Sequence, residues 1–409
     1  MTEFIRFHRP SIGEEEIDEV VDTLRSGWLT SGPRAARFEQ EFSEHVGARH
    51  ALAVNSATAA LHLALAGLKI GPGDEVITTP MTFCATVHAI LHVGASPVLA
   101  DIGPDGNIDP EEIEKRITKR TRAIIPVHLA GLPCEMKTIW ALARRRNIHV
   151  IEDAAHAAGA CYEGRPIGAG PAGAAPASDA VAFSFYATKN LTTGEGGMMT
   201  THRPGLARTV RMLSLHGTSH DAWDRYSEHG DWHYNVLAHG FKYNLSDIQA
   251  AIGIHQLRKL EQFIERRTLY AGMYMRAFAP MEEVEPPPDS PRCRHAWHLY
   301  ILRLNLQMLK IDREQFILEL KRRGIGASVH FIPIPLHRFF AGLPLARHAC
   351  PRARQLYSRI VSLPLYPAMT EEQVQYVAQS VRDVLASSRR VRFVASAALP
   401  LCTPTASAS

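Results

Sequence analysis

Between residues 50 and 200, short apolar runs alternate with stretches of helical period, and this rhythm restricts the fold more than any other feature of the chain. The runs are His50-Ala-Leu-Ala-Val54, Glu75-Val-Ile-Thr78, Pro97-Val-Leu-Ala100, Ala123-Ile-Ile-Pro-Val127 and Ile148-His-Val-Ile151. Ala180-Val-Ala-Phe-Ser-Phe185 and Gly197-Met-Met-Thr200 follow. Leu61, Ala64, Leu65 and Leu68 recur at i, i+3, i+4, i+7, and further helices are predicted near 82–93 and 134–146. Such alternation predicts an α/β domain around a large, mostly parallel, seven-stranded sheet.

The flanks read differently. Ser11-Ile-Gly-Glu14 predicts a capping box, followed by a helix with Ile17, Val20, Val21 and Leu24 on one face and Gly27 as the stop. A second helix starts at Pro33, with Phe38, Phe42 and Val46 as its stripe. Gly164 to Ala177 reads as a loop, and residues 202–243 as an irregular excursion. Asp247 to about Ala271 reads as a helix leading into a smaller C-terminal α+β domain. There Asp312-x-x-Gln315 and Thr370-x-x-Gln373 predict helix caps, with Phe316 and Leu320, then Val374, Val377, Val381 and Leu385, as inner stripes. The predicted division is 1–255 for the N-terminal segment and large domain, 256–386 for the small domain, and 387–409 for a disordered tail.

Charge argues against nucleic acid as a partner. The net charge is +4 over 409 residues, and the basic residues are scattered apart from Arg389, Arg390 and Arg392 in the tail. No apolar stretch is long enough to span a bilayer, and the start shows no secretory pattern. The six cysteines form no C-x-x-C pair and are expected as free thiols in the cytoplasm; the 21 histidines show no metal-ligand spacing.

Ligands of open α/β sheets sit beyond the carboxyl ends of strands. Asn55-Ser-Ala-Thr58 closes one strand and opens a helix, which makes either an anion site or a plain N-cap. Glu152 and Asp153 end another, where a carboxylate can hold a cation, a protonated ring nitrogen or merely the next helix. Phe183 to Gly197 runs from an apolar strand through Lys189 into a turn with Gly194, Gly196 and Gly197. A lysine there can clamp a phosphate or form a Schiff base. Together the pieces suit a pyridoxal-phosphate site.

The chain resembles the fold type I, pyridoxal-phosphate-dependent sugar aminotransferases of the DegT/StrS family. The matching motifs run in order over about residues 6–386: Ser26-Gly-Trp-Leu-Thr-Ser-Gly-Pro33, Asn55 to Leu61, Gly73 to Thr78, Thr82 to Thr86, Pro126 to Gly131, Glu152 to His156 and Phe183 to Gly197. Gly240 to Gly253, Ala296-Trp-His-Leu-Tyr300, Gly324 to His330 and Leu363 to Pro367 complete them. Within the family the chain looks like enzymes forming UDP-4-amino-4-deoxy-L-arabinose from its 4-keto sugar, and transaminases making other 4-amino nucleotide sugars compete with that reading.

The resemblance implies a ping-pong exchange in which glutamate converts the cofactor to pyridoxamine phosphate, which then aminates a keto nucleotide sugar, here at C4. It implies that Lys189 forms the internal aldimine and carries the proton, and that Asp153 keeps the pyridine nitrogen protonated. His156 stands where many relatives carry glutamine near the phenolic oxygen, and Phe83 matches the residue that stacks on the ring. Ala57, Thr58 and Ser184 match phosphate-binding positions; Asn244 matches one supplied by the other subunit, which implies a homodimer with shared sites. Trp28, Thr30, Tyr186 and His330 match positions near the sugar nucleotide, Trp297 and Tyr300 are expected to pack the small domain, and Glu195 to hold the glycine turn. The competing readings are a keto-cyclitol aminotransferase and a non-catalytic sensor of the same fold; a dehydratase relative would lack Lys189.

Overall fold

The computed structural model describes residues 4–170, 178–219 and 233–390. Strands β1 (His50–Val54), β2 (Glu75–Thr78), β3 (Ser96–Leu99), β4 (Thr121–Ile125) and β5 (His149–Asp153) lie where the apolar runs fall. After a short hairpin, β6 (Cys161–Tyr162) and β7 (Arg165–Pro166), come β8 (Ala180–Ser184) and β9 (Gly197–Thr201). They form the expected seven-stranded sheet, in the order β1-β9-β8-β5-β4-β2-β3. All neighbours from β3 to β8 pair in parallel, and β9 alone runs against the rest.

Residues of alternating parity feed two cores, so the strands read as unbroken apolar runs rather than as half-polar ones. Ile77, Ile124, Val150, Val181 and Phe183 join one core, with Phe38, Phe42, Met136 and Ile139. Val76, Ala123, Ile125, Ile151 and Ala182 join the other, with Leu61, Leu65, Ile90 and Val210. The helices involved are α2 (Pro33–Val46), α3 (Ala57–Gly67), α4 (Cys84–His92), α5 (Pro110–Arg116), α6 (Met136–Arg146) and α7 (Pro204–Ser214), while α1 (Glu14–Ser26) contributes to neither core.

Helix Asp247–Phe278 serves both ends of the molecule. Ala250, Ile254, Leu257 and Ile264 pack on the sheet. Tyr270, Tyr274 and Phe278 pack into a separate core with Trp297, Tyr300, Phe316, Val377 and Val381. That core sits against a three-stranded sheet of β10 (Val284–Glu285), β12 (Tyr300–Leu304) and β13 (Ile360–Leu363), while β11 (Cys293–Arg294) joins the β6–β7 hairpin. Ile5 belongs to this separate core and bridges Ile325. Both predicted caps, at Asp312 and Thr370, are present as capping boxes.

Several local expectations need correction. Helix α1 is capped by Gly13, not Ser11, with the Glu16 carboxylate accepting the Gly13 N–H. Its apolar stripe does not face inward: Ile17 and Leu24 are exposed. The polar face wins, because Glu16 takes bonds from Gln256 and Lys259, and Glu19 from Arg34 and His255. Residues 204–214 of the supposed irregular excursion form a helix, and β7 lies inside the supposed loop, whose residues 171–177 fall outside the described ones. The long helix runs past Ala271 to Phe278. The last helix continues through Ser388, and Arg389 and Arg390 bond to Glu283 and Leu309, so residues 387–390 are ordered; the rest of the predicted tail, 391–409, lies outside the described residues. No described helix is long and apolar enough to cross a membrane.

Asp247 ties the long helix to α2. Its buried carboxylate accepts the N–H groups of Gly32 (2.8 Å), Ala35 (2.9 Å) and Arg34 (3.1 Å), the orphan donors of the α2 terminus. Asp247→Ala is expected to cost about 2–3 kcal/mol, read as a lower denaturation midpoint, since a lost cap and unsatisfied amides combine. Asp247→Asn should keep most of that stability.

Candidate active site

The carboxyl ends of β1, β2, β4, β5 and β8 open on one edge of the sheet, and a cavity of about 540 Å³ lies there. Of the predicted site residues, Ala57, Thr58, Phe83, Asp153, His156, Ser184, Tyr186, Lys189 and His330 line it. Trp28, Thr30 and Asn244 do not. They lie together at the α2 terminus, where the Trp28 indole N–H donates to Ser31 O, Thr30 O accepts the Asp247 N–H, and the Asn244 amide donates to Ser31 Oγ (2.8 Å).

Lys189 is placed by a loop that folds on itself. The Lys189 N–H donates to Tyr186 O, Thr193 N–H to Phe185 O, and Phe185 N–H to Gly196 O, each at 2.9 Å. Asn190 anchors the loop from behind through Ala296 O (2.8 Å). Burial lowers the Lys189 pKa to about 8, with the Asp153 charge pulling the other way.

Asp153 ends β5. Its Oδ2 accepts the Thr86 hydroxyl (2.8 Å) and its Oδ1 the Ala155 N–H (3.1 Å). Burial raises its pKa, opposed by these bonds and by Lys189. The neighbouring Glu152 points elsewhere, to His128 (2.8 Å). The strand thus sends one carboxylate to the cavity and one to a buried hydrogen bond with His128.

His156 is neutral. Burial, reinforced by Lys189, His330 and His128, holds its pKa well below the usual imidazole value. The Ala130 N–H donates to its Nδ1 (3.2 Å), so the ring proton lies on Nε2. The ring stacks on Phe331, with centroids 5.6 Å apart. His330 bonds Ser362 through Nδ1 (2.9 Å), and burial lowers its pKa to about 4.

A phosphate fits the far end. Ser56 caps α3 and takes the Ala59 N–H, which leaves the Ala57 and Thr58 amides as first-turn donors without helical partners. Gly197 makes room for that turn: a Cβ there would lie 2.4 Å from the Ser56 carbonyl carbon and 2.6 Å from the Ala57 nitrogen. Ser184 adds a hydroxyl beside it. One cavity therefore offers an anion cradle, a buried carboxylate for a ring cation and a lysine with a lowered pKa, the donor set pyridoxal phosphate requires. Phe83 remains 62% exposed at the mouth.

Ser56, Thr82, Thr86, His298 and Phe331 also line the cavity; of these only Ser56, in the Asn55–Thr58 turn, sits in a stretch read above as a candidate ligand site. Thr86 was legible in principle, since a hydroxyl one helical turn after Thr82 faces the same way, and the two are 2.7 Å apart. Arg211, outside the cavity lining, donates to both carboxylate oxygens of Glu39.

Residues 10–382 match the DegT/DnrJ/EryC1/StrS aminotransferase family. The chain is 48% identical over 385 residues to SpsC, a spore coat polysaccharide biosynthesis protein of Bacillus subtilis, covering 93% of this chain and 97% of that one. It is 49% identical over 388 residues to MJ1066, an uncharacterized protein of Methanocaldococcus jannaschii, covering 94% and 99%. The PMP form of Spr1654, a putative sugar aminotransferase of Streptococcus pneumoniae, superposes with a TM-score of 0.85 at 34% identity, covering 94% and 99%; its PLP form gives 0.84.

Proposed function

The chain belongs to the DegT/DnrJ/EryC1/StrS aminotransferase family, and we propose that it aminates the C4 keto group of a nucleotide-linked sugar with glutamate as the donor. Membership makes it a fold type I, pyridoxal-phosphate-dependent aminotransferase acting on sugars. The observation that carries the assignment of its centre is the meeting of Lys189 and Asp153 in one buried cavity. The choice of C4 and of a nucleotide-linked acceptor rests on the sequence likeness.

Pyridoxal phosphate, when bound, supplies an electron sink for the carbon that gives up a proton. In the proposed roles, Lys189 holds the cofactor covalently and then, as a free amine, carries the proton in each half-reaction. Asp153 keeps the ring nitrogen charged. The neutral His156 donates through Nε2 to the phenolic oxygen. Ala57, Thr58 and Ser184 hold the phosphate, Phe83 covers the ring, and Tyr186 and His330 face the sugar side. The proposed setting is the cytoplasm.

Trp28, Thr30 and Asn244 lie outside their own chain's cavity, and Phe83 is open to solvent, which supports a homodimer in which these three residues serve the partner's site. Mixing two inactive proteins, Lys189→Ala and Asn244→Asp, tests this. Shared sites predict recovery of about a quarter of the native sites after subunit exchange; unshared sites predict none.

The deprotonated Lys189 amine is the attacking form. Its lowered pKa predicts that attachment of pyridoxal phosphate to cofactor-free protein speeds up as pH rises through about 8 and then levels off. The cavity imidazoles add no limb near neutrality, because burial keeps His156 and His330 unprotonated there. Rapid-mixing absorbance across pH 6–10 checks both statements. The acceptor is tested by adding glutamate and then a panel of UDP- or dTDP-linked 4-keto sugars and a keto-cyclitol. Return of the long-wavelength absorbance with a nucleotide sugar alone supports the proposal, and return with the cyclitol alone overturns it.

A further inference from the structure

The cavity wall holds one more imidazole, His298, on the segment that joins the two cores. Its Nδ1 is sealed from solvent and has no partner. Among the described residues Nε2 bonds to nothing either, and it is not sealed. Nε2 is thus the nitrogen this ring offers to the cavity. An unpaired buried N–H costs more than an unpaired lone pair, so the proton of the neutral ring belongs on Nε2.

The fold accepts strain to hold the ring there. Trp297, immediately before it, lies in the left-handed region at φ 47°, where a bulky residue is an outlier. Arg267, a fully buried guanidinium, donates from Nη1 to Trp297 O (3.2 Å), His298 O (3.3 Å) and Leu365 O (2.7 Å). Asn190, next to Lys189, holds Ala296 O on the other side. The His298 ring packs on His156 with centroids 4.4 Å apart. A phenyl group would make that contact without a buried, unpartnered nitrogen, so packing alone does not explain an imidazole.

We propose that His298 is a substrate-binding residue whose Nε2–H takes a carboxylate oxygen of the amino donor. This rests on the reading of the cavity as an aminotransferase site with glutamate as donor. Lys189 and Arg267 make the surroundings positive, and no arginine lines the cavity among the described residues, so N–H donors of this kind are needed for a carboxylate. His298 is buried, which suits a small amino acid; a nucleotide sugar must extend toward the open mouth at Phe83 and Tyr186.

His298→Phe keeps the ring and removes the donor; His298→Gln returns a donor without the ring. Each protein is loaded with pyridoxal phosphate, its long-wavelength band is checked against wild type, and the loss of that band is followed over a range of glutamate concentrations. The expected result for His298→Phe is an unchanged band, a roughly ten- to hundred-fold rise in the glutamate concentration needed, and an unaltered return half-reaction with the keto sugar. His298→Gln should recover part of the loss. A wild-type glutamate dependence in His298→Phe, or equal weakening of both half-reactions, overturns the proposal. Wild-type protein that glutamate does not convert overturns the donor reading itself, and the proposal with it.

Discussion

Lys189→Ala is expected to abolish the long-wavelength absorbance of the loaded protein and to slow amino transfer by about ten-thousand-fold or more, the upper range for a positioned proton carrier that is also the covalent anchor. The two effects separate. Anchoring depends on an uncharged amine, which burial favours by holding the Lys189 pKa at about 8. Proton transfer depends on position, which the 185–196 loop and the Asn190 anchor fix. Added methylamine should therefore restore part of the transfer rate without restoring attachment to the protein. Arginine at 189 should do neither, because its guanidinium stays charged. Stability should change in the opposite direction. The folded-state pKa of Lys189 is depressed, so the folded form binds fewer protons than the unfolded one between about pH 8 and the ordinary lysine value. Below that window the buried ammonium costs stability, and Lys189→Ala should unfold at a higher temperature than wild type when both lack cofactor at pH 7. A variant that keeps the absorbance band, or keeps most of the rate, removes Lys189 from its proposed place.

The sheet was legible because each of its strands is buried on both faces. Ile124 and Ile125 point to different cores, and both must be apolar. The strand ends were legible for the opposite reason: Asp153, Ser184 and the Asn55–Thr58 turn interrupt apolar runs where polarity has no packing use. Helix α1 misled because Ile17, Val20, Val21 and Leu24 make a good stripe, and a stripe does not say what will cover it. Its polar side found Gln256, Lys259, Arg34 and His255, partners far away in the chain. Asp247 was unreadable in the same way, since it caps a helix more than 200 residues upstream. His298 lies between Trp297 and Tyr300, in a segment that looks like core. Only the left-handed Trp297 and the Arg267 clamp turn it toward the cavity, and neither leaves a mark on the sequence pattern.

Asp153→Asn is expected to cut the glutamate half-reaction by about 10²–10³-fold while raising the thermal midpoint of the cofactor-free protein. The loss follows from charge. An amide fills the same space and can still accept the Ala155 N–H and meet the Thr86 hydroxyl, so the local geometry survives. It cannot hold a proton on the ring nitrogen, and removing one preorganised electrostatic group from a buried site typically has that kinetic cost. The gain in stability follows from burial, the largest influence on this carboxyl. Its folded-state pKa is raised, so the folded protein binds more protons than the unfolded one above the ordinary aspartate pKa. Stability falls as pH climbs above the ordinary aspartate pKa and stays reduced beyond the raised folded-state value, because burial disfavours the ionised carboxylate. The neutral amide has no such penalty. Wild type and variant should therefore converge at low pH, where Asp153 is protonated in both states, and separate as pH rises. Bound cofactor should reverse the order, because only the carboxylate gains an opposite charge. A variant with less stable cofactor-free protein at pH 7 would place the worth of Asp153 in its bonds to Thr86 and Ala155 rather than in its charge. A variant with full activity would remove it from the proposed site.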